Sequence, residues 1–399
     1  MPNAPTAPAA LAALAALREA VRAGVPGAER DFWLRVEATG TPLVAPDPRG
    51  DPAYREVTFL WRGEAAAVVT LLHTVTDKDR HAGDLTPHAM ERIPGTEVWV
   101  LAYRLRADHR ASYQFAVCAD GVPGTHREAW LRVLDEALPD PFGPRPVLAA
   151  RDGRNPASVL ALEDAPPQPY VARRPGVRRG RTVRHEIDGR GVTAHVPPVP
   201  GPYAVAVLLD GEMWGPVLGV GDTLDNLHAD GALPPTLALL VDTMASRHED
   251  LSCSAEFTDW LADAVLPWAA RTYGSGPGPS RTLIAGQSAG GLTAAYAAHR
   301  RPDAFGLALC QSGSFWWPDE DPEWLTRQYG TAPRRPVRFY LEVGHQEWML
   351  LEENRRLRDV LRARGYEVAY AEFNGGHDYA CWRGGLATGL TTLLAPPAR

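Results

Sequence analysis

The sequence predicts two domains: a smaller all-β sandwich, then an α/β domain whose mostly parallel sheet is covered by helices on both faces. Three observations lead there. From Phe32 to about Phe115 the chain runs in short β-like segments broken by Gly, Pro and Asp. From His185 onward, apolar strand-like runs alternate with helical stretches. Between the two lies a segment rich in Pro and Arg. Length agrees, because 399 residues exceed one average domain and suit two.

The stretch Ala9 to Val21 is rich in Ala and Leu and resembles the apolar part of a secretion signal. No basic residue precedes it, Arg18 and Glu19 interrupt it, and no clear A-x-A site follows, so an amphipathic surface helix is expected. Strands are then expected at Phe32–Val36, Val57–Trp61, Ala67–Leu72, Val98–Tyr103 and Ser112–Val117, with no long helical period between them. This is the pattern of a β-sandwich, and it sets the first domain at residues 1–150. Residues 151–184 read as a linker. Its Arg173, Arg174, Arg178, Arg179, Arg181 and Arg184 could attract an anion, although such runs are more often a solvated connection.

Residues 185–399 form the second domain. Buried strands are expected at Val205–Leu209, Leu237–Asp242, Thr282–Ala285, Leu307–Cys310, Val337–Glu342 and Val368–Phe373. Helices are expected at Phe257–Tyr273, Leu292–Arg300, Glu352–Arg364 and Trp382–Leu394. In open sheets of this kind, active sites collect at the carboxyl ends of the strands.

Composition excludes several classes of function. Hydrophobic residues at 45% and charged residues at 22% are ordinary for a globular chain. A net charge of −7 argues against nucleic-acid binding. No apolar run approaches the roughly eighteen residues a membrane span needs, and a cytoplasmic location is expected. Cys118, Cys253, Cys310 and Cys381 are scattered, with no CxxC pair, and read as reduced core thiols. Neither a metal site nor a cofactor is expected. Lys78 is the only lysine, and arginine stays protonated, so lysine-based mechanisms are nearly excluded. Histidine remains as the base available near neutral pH.

Gly286-Gln287-Ser288-Ala289-Gly290 matches G-x-S-x-G, directly after one expected strand and before an expected helix. That strand–turn–helix context is what the motif requires of a nucleophile elbow in the α/β-hydrolase fold. A serine hydroxyl needs a base within hydrogen-bonding reach. His377, in Gly375-Gly376-His377-Asp378 after the last strand, is the candidate. The acid that orients the imidazole should fall between the two in sequence. Glu347, just past a strand end, is favoured over Glu342 within the strand and over Asp378, a turn-former beside the histidine. His345 reads as a pocket-lining or solvated loop residue. For the oxyanion, one backbone N–H is expected from Ala289 and a second from the Asp210–Trp214 loop, with Glu212 as candidate. A plain Asp-Gly turn is the alternative there.

Beyond these motifs, the chain resembles the enterochelin (enterobactin) esterase family. The likeness rests on Asp210-Gly211 with Trp214, Gly286 to Gly291, Gln311-Ser312-Gly313-Ser314-Phe315-Trp316-Trp317, Gly375 to Asp378, the segment Arg247–Phe257 and Cys381 to Gly385. Thr58 to Arg62, Pro94 to Thr96 with Trp99, and Ser112 to Phe115 extend it into the first half. The residues before Phe32 and the arginine-rich linker depart from it. The resemblance implies hydrolysis of the ester bonds of a trilactone siderophore inside the cell by a Ser288–His377–Glu347 triad, with the N-terminal domain helping to shape the pocket. A ferric tris-catecholate is trianionic and aromatic-rimmed, so arginine and flat walls should line its site. Trp316 and Trp317 are candidate walls or equally core anchors, and Arg247 a candidate anion contact or equally a surface ion pair. Another ester, acyl transfer on the same fold, or a binding protein on a degenerate fold are the alternatives. Oligomeric state is not legible.

Overall fold

The computed structural model describes residues 7–150, 153–276 and 278–395. It divides into two compact units. The first is Met1–Pro166 with Asn374–Ala380; the second is Pro167–Phe373 with Cys381–Arg399.

In the first unit the elements are α1 (Ala7–Arg22), α2 (Ala28–Thr39), β1 (Leu43–Pro46), β2 (Tyr54–Arg62), β3 (Ala67–Leu71), α3 (His73–His81), β4 (Glu91–Arg92), β5 (Val98–Arg106), β6 (Arg110–Cys118), α4 (Arg127–Glu136) and β7 (Ser158–Ala161). They make two antiparallel sheets, ordered β1-β2-β5-β4 and β3-β6-β7. Strand alternation explains the packing. Val57 and Phe59 of β2 join Val68, Tyr113 and Phe115 in a core shared by the two sheets, whereas Leu60 turns to the opposite side with Val98 and Val100. That opposite side is closed by α1 and α2 through Leu14, Leu17, Phe32, Trp33 and Val36. Helix α4 covers Val69, Leu71 and Ala116 with Trp130 and Val133.

Two expectations need correction here. Phe32–Val36 is part of helix α2 and not a strand, because Phe32, Trp33 and Val36 form a helical stripe while Leu34 points out, 59% exposed. The unit keeps its pair of antiparallel sheets, with helices layered on them. The Pro/Arg-rich segment is also no mere connection. Ser158–Ala161 pairs with β6 as a sheet strand, and the division between units falls at Pro166. Residues 151 and 152 lie outside the described residues.

The second unit contains β8 (Arg181–Ile187), β9 (Arg190–Val196), β10 (Ala204–Leu209), α5 (Val220–Ala229), β11 (Thr236–Val241), α6 (Arg247–Asp250), α7 (Ala255–Trp260), α8 (Leu266–Tyr273), β12 (Thr282–Gln287), α9 (Ala289–Arg300), β13 (Leu307–Gln311), α10 (Trp324–Thr331), β14 (Arg338–Gly344), α11 (Leu351–Ala363), β15 (Glu367–Phe373) and α12 (Tyr379–Leu394). Its eight strands run β15-β14-β13-β12-β10-β11-β9-β8. Strands β10 to β15 are parallel, and the β8–β9 hairpin adds an antiparallel edge. Every residue of β10, β11, β12 and β13 is buried, as expected of parallel strands covered on both faces. The order of strand addition switches at β10, with β11 on one side and β12 on the other, and it is at such switch points that open α/β sheets place their sites. Three of the six arginines named in the expected linker form ion pairs: Arg173 with Asp222, Arg174 with Asp230 and Arg184 with Asp242.

Trp33 stacks on Phe142 at 5.3 Å and is 1% exposed. Trp33→Ala is expected to cost about 3–5 kcal/mol by leaving a cavity under α2. Urea unfolding followed by the far-ultraviolet signal checks it; a loss below about 1 kcal/mol would show that the helical layer contributes little.

Candidate active site

The Ser288 backbone is the tightest point of the second unit. It has φ 58° and ψ −122°, a region a non-glycine residue enters only under constraint. The flanking glycines make this possible: a Cβ on Gly286 would overlap the Gly290 backbone where strand and helix pass closest. Three backbone bonds hold the turn. The Ser288 N–H donates to the Gln311 carbonyl at 3.0 Å, and the Ser288 carbonyl accepts from Leu292 at 3.1 Å and Ser314 at 3.0 Å. The half-buried hydroxyl lies 3.3 Å from the Ser314 hydroxyl. Ala289 opens α9, so its N–H belongs to the first turn, where the helix supplies no acceptor.

Along the sheet edge the next strand ends in Ser312, again at positive φ, 49°. Its N–H donates to the Glu342 carbonyl at 2.7 Å, and its hydroxyl donates to Glu347 Oε1 at 2.5 Å while accepting from Trp382 Nε1 at 3.0 Å. The same Glu347 oxygen accepts the Gly344 N–H at 2.8 Å. Glu347 is 2% exposed and stands just past β14. Ser288 and Glu347 thus terminate β12 and β14 on either side of β13, linked by donors from the serine-rich end of β13.

Beneath this rim a buried chain of amides crosses the sheet. Trp214 Nε1 donates to Gln287 at 3.0 Å, Gln287 Nε2 to Gln311 at 2.8 Å, and Gln311 Nε2 to Glu342 at 2.5 Å and to the Trp382 carbonyl at 2.8 Å. Tyr340 donates to the other Glu342 oxygen at 3.0 Å. Burial pushes the Glu342 carboxyl up to about 7, the nearby Glu347 charge adds to the rise, and the bonds from Gln311 and Tyr340 oppose it. Gly385 leaves room for it, because any Cβ there would overlap the carboxylate.

After β10, Asp210 has φ 55° and is fully buried. Its Oδ1 accepts from Thr243 Oγ1 at 2.7 Å and Arg247 Nε at 2.7 Å, and its Oδ2 from Arg247 Nη2 at 2.9 Å. Arg247 is therefore engaged by a bidentate ion pair within the loop. Glu212 holds Thr243 N–H at 3.1 Å, and its own amide also lies against its carboxylate; burial first, then the Asp210 and Asp242 charges, raise that carboxyl above its usual range. Trp317 packs on the main core, whereas Trp316 is half-buried. His345 pairs with Glu372 at 3.0 Å.

His377 lies in the segment Asn374–Ala380, which belongs to the first unit. It is half-buried there. Asp378, the competing acid, is 3% exposed and spends its oxygens on the N–H of Ser112 at 2.5 Å and of Ala380 at 2.8 Å. Sequence reasoning missed Asp210 and Ser312. For Asp210 the signal was a polar residue directly after a fully apolar strand run, whereas Ser312 follows Gln311 and carried no such mark. Among the described residues no group of His, Cys, Asp or Glu is placed to hold a metal ion, no helix is long and apolar enough to cross a membrane, and the four cysteines are free.

The Glu342 shift has a measurable consequence. A carboxyl raised in the fold favours folding below its unfolded value near 4.3, and that contribution is lost as pH rises toward about 7. At pH 8 the buried charge opposes folding by roughly 3 kcal/mol. Glu342→Gln should therefore gain stability relative to wild type between pH 5 and pH 8. Parallel pH–stability curves for the two proteins, from urea unfolding, would contradict this.

Comparisons with known proteins show the family and the fold. Residues 56–171 match the family described as "Enterochelin esterase, N-terminal" and residues 188–393 the family described as "Putative esterase". The iron(III) enterobactin esterase of Escherichia coli K12 is 32% identical, over 86% of this chain and 92% of its own. The iron(III) salmochelin esterase of E. coli O6:H1 is also 32% identical, over 94% of this chain and 96% of its own. A crystal structure of the enterobactin esterase from Shigella flexneri in the presence of enterobactin superposes with a TM-score of 0.78 at 29% identity, covering 91% of this chain and 97% of that one.

Proposed function

This chain belongs to the enterochelin esterase family, and from that premise we propose that it hydrolyses the ester bonds of a catecholate trilactone siderophore in the cytoplasm, releasing the bound iron. The observation that carries the reading is the elbow: a serine forced to positive φ at the carboxyl end of a central parallel strand, within a chain similar along almost its whole length to siderophore esterases.

In this reading the Ser288 hydroxyl attacks the ester carbonyl as His377 takes its proton. The amide of Ala289 receives the developing oxyanion, joined by that of Glu212 once it releases its own carboxylate. Collapse expels the serine-type alkoxide of the lactone with the proton returned by His377, and water then releases the acyl group by the same steps in reverse roles. Glu347 orients the imidazole and balances its cation. Two features support Glu347 in that role. It is buried at a strand end two strands from the nucleophile, and Asp378 is committed to backbone amides. The indole of Trp316 is offered to an aromatic ligand, Trp317 packs on the core, and Arg247 meets an anionic ligand as a cation already paired with Asp210.

The test is incubation with ferric and iron-free enterobactin, following linear products by chromatography. Turnover of at least one form is expected, and turnover of simple esters alone would remove the substrate class. Ser288→Ala and His377→Ala are each expected to lose roughly four orders of magnitude or more in kcat, Glu347→Ala less, with losses that do not add. A fully active Glu347→Ala would move the acid elsewhere.

A further inference from the structure

The segment that carries His377 is held at several points by groups of the N-terminal unit. The His377 N–H donates to Thr74 Oγ1 at 2.7 Å, and the His377 carbonyl accepts from His73 Nε2 at 2.6 Å. A carbonyl only accepts, so His73 carries its proton on Nε2. On one side, Asn374 donates to Asp108 at 2.7 Å and accepts the Arg110 N–H at 3.1 Å. On the other, Asp378 accepts the Ser112 N–H at 2.5 Å. Gly376 packs so closely that a Cβ would overlap the Thr74 side chain.

These contacts meet a specific need. Gly375 and Gly376 give the loop wide conformational freedom, whereas a general base must be held close to its productive geometry. Thr74 answers this from the first turn of α3, where the helix starts directly after β3 and Thr74 is 7% exposed. Its neighbour Thr76 faces the strand, donating to the Thr70 carbonyl at 3.1 Å and accepting the Leu72 N–H at 2.9 Å. The turn bearing Thr74 is thereby locked to the sheet. Both backbone groups of His377 are then held by consecutive residues of one helix turn.

We propose that Thr74, with His73, is the positioning residue of the base His377. The inference rests on the reading of His377 as base. Thr74 touches no reacting atom; it acts through the peptide on which the imidazole is mounted.

The experiment is steady-state kinetics of the full chain on a short p-nitrophenyl ester, which is too small to need a shaped siderophore pocket. Thr74→Val keeps the shape and removes the acceptor. It is expected to lower kcat roughly 10- to 100-fold with KM within about twofold, while Thr74→Ser restores most of the rate. In a His377→Ala background, Thr74→Val is expected to change nothing. His73→Phe, at an exposed position, should lower kcat in the same direction and decides the matter if Thr74→Val does not fold. Wild-type kcat for Thr74→Val, or for His73→Phe in its place, overturns the proposal. So does an undiminished Thr74→Val effect on the residual rate of His377→Ala. A His377→Ala protein as active as wild type would instead remove the reading of the base itself.

Discussion

A single backbone conformation carries the largest burden in this molecule: Ser288 at φ 58° between the end of β12 and the start of α9. A non-glycine residue in such a region costs of order 1–3 kcal/mol and persists only when its surroundings over-determine it. Here they do. The strand before it is buried along its whole length, the helix after it is buried on most of its faces, and the glycines on either side let the two approach without a Cβ between them. Sheet and helix cannot relax the turn without surrendering their own packing. The same device recurs on adjoining strands, with Ser312 at 49° and Asp210 at 55°. Three adjacent carboxyl ends therefore each carry a polar residue held at positive φ.

Such a rim would be unstable over an apolar floor, because each turn leaves backbone and side-chain groups in need of partners. The buried relay from Trp214 through Gln287 and Gln311 to Glu342 supplies them. It links the loop after β10 to the strands β12, β13 and β14, and Trp382 ties α12 in from the far side through its carbonyl and its indole N–H. Networks of this kind are rigid only when fully satisfied. A carboxyl group at its end is a hazard, and its raised pKa is how the interior contains it: a protonated Glu342 needs less solvation than a charged one. Glu347, just past the end of the same strand, is equally buried and has hydroxyl and amide donors of its own.

Much of this was legible in the sequence. The parallel sheet showed itself because strands buried on both faces must be continuously apolar, and the elbow because its glycines are sterically required. Where the reading failed, the reasons are specific. Phe32 to Val36 has β-like composition, but Phe32, Trp33 and Val36 are buried and Leu34 is not, and this spacing belongs to a helix. Five residues are too short a window to separate the two periods. The edge strands β8 and β9 are partly exposed and rich in charge, so they lacked the apolar signature of their neighbours. Arg247 was recognisable as a cation at a strand end, but its pairing with Asp210 depends on a carboxylate 37 positions away that nothing local announces. Thr74 was beyond reach for the same reason, as its partner lies 303 positions on.

The assignment of Asn374–Ala380 to the first unit changes how the two halves of the chain should be regarded. The chain leaves the second unit after Phe373 and returns at Cys381, so the units are joined at three points and not by one tether. Seven residues cannot fold by themselves, and the polar groups of this segment find their partners on α3, β6 and the turn before β6. Ordering them costs conformational entropy of about 1–2 kcal/mol per residue, a sum that only contacts with a folded first unit can offset. Ser288 inherits its position from the parallel sheet, whereas His377 inherits its position from a different core.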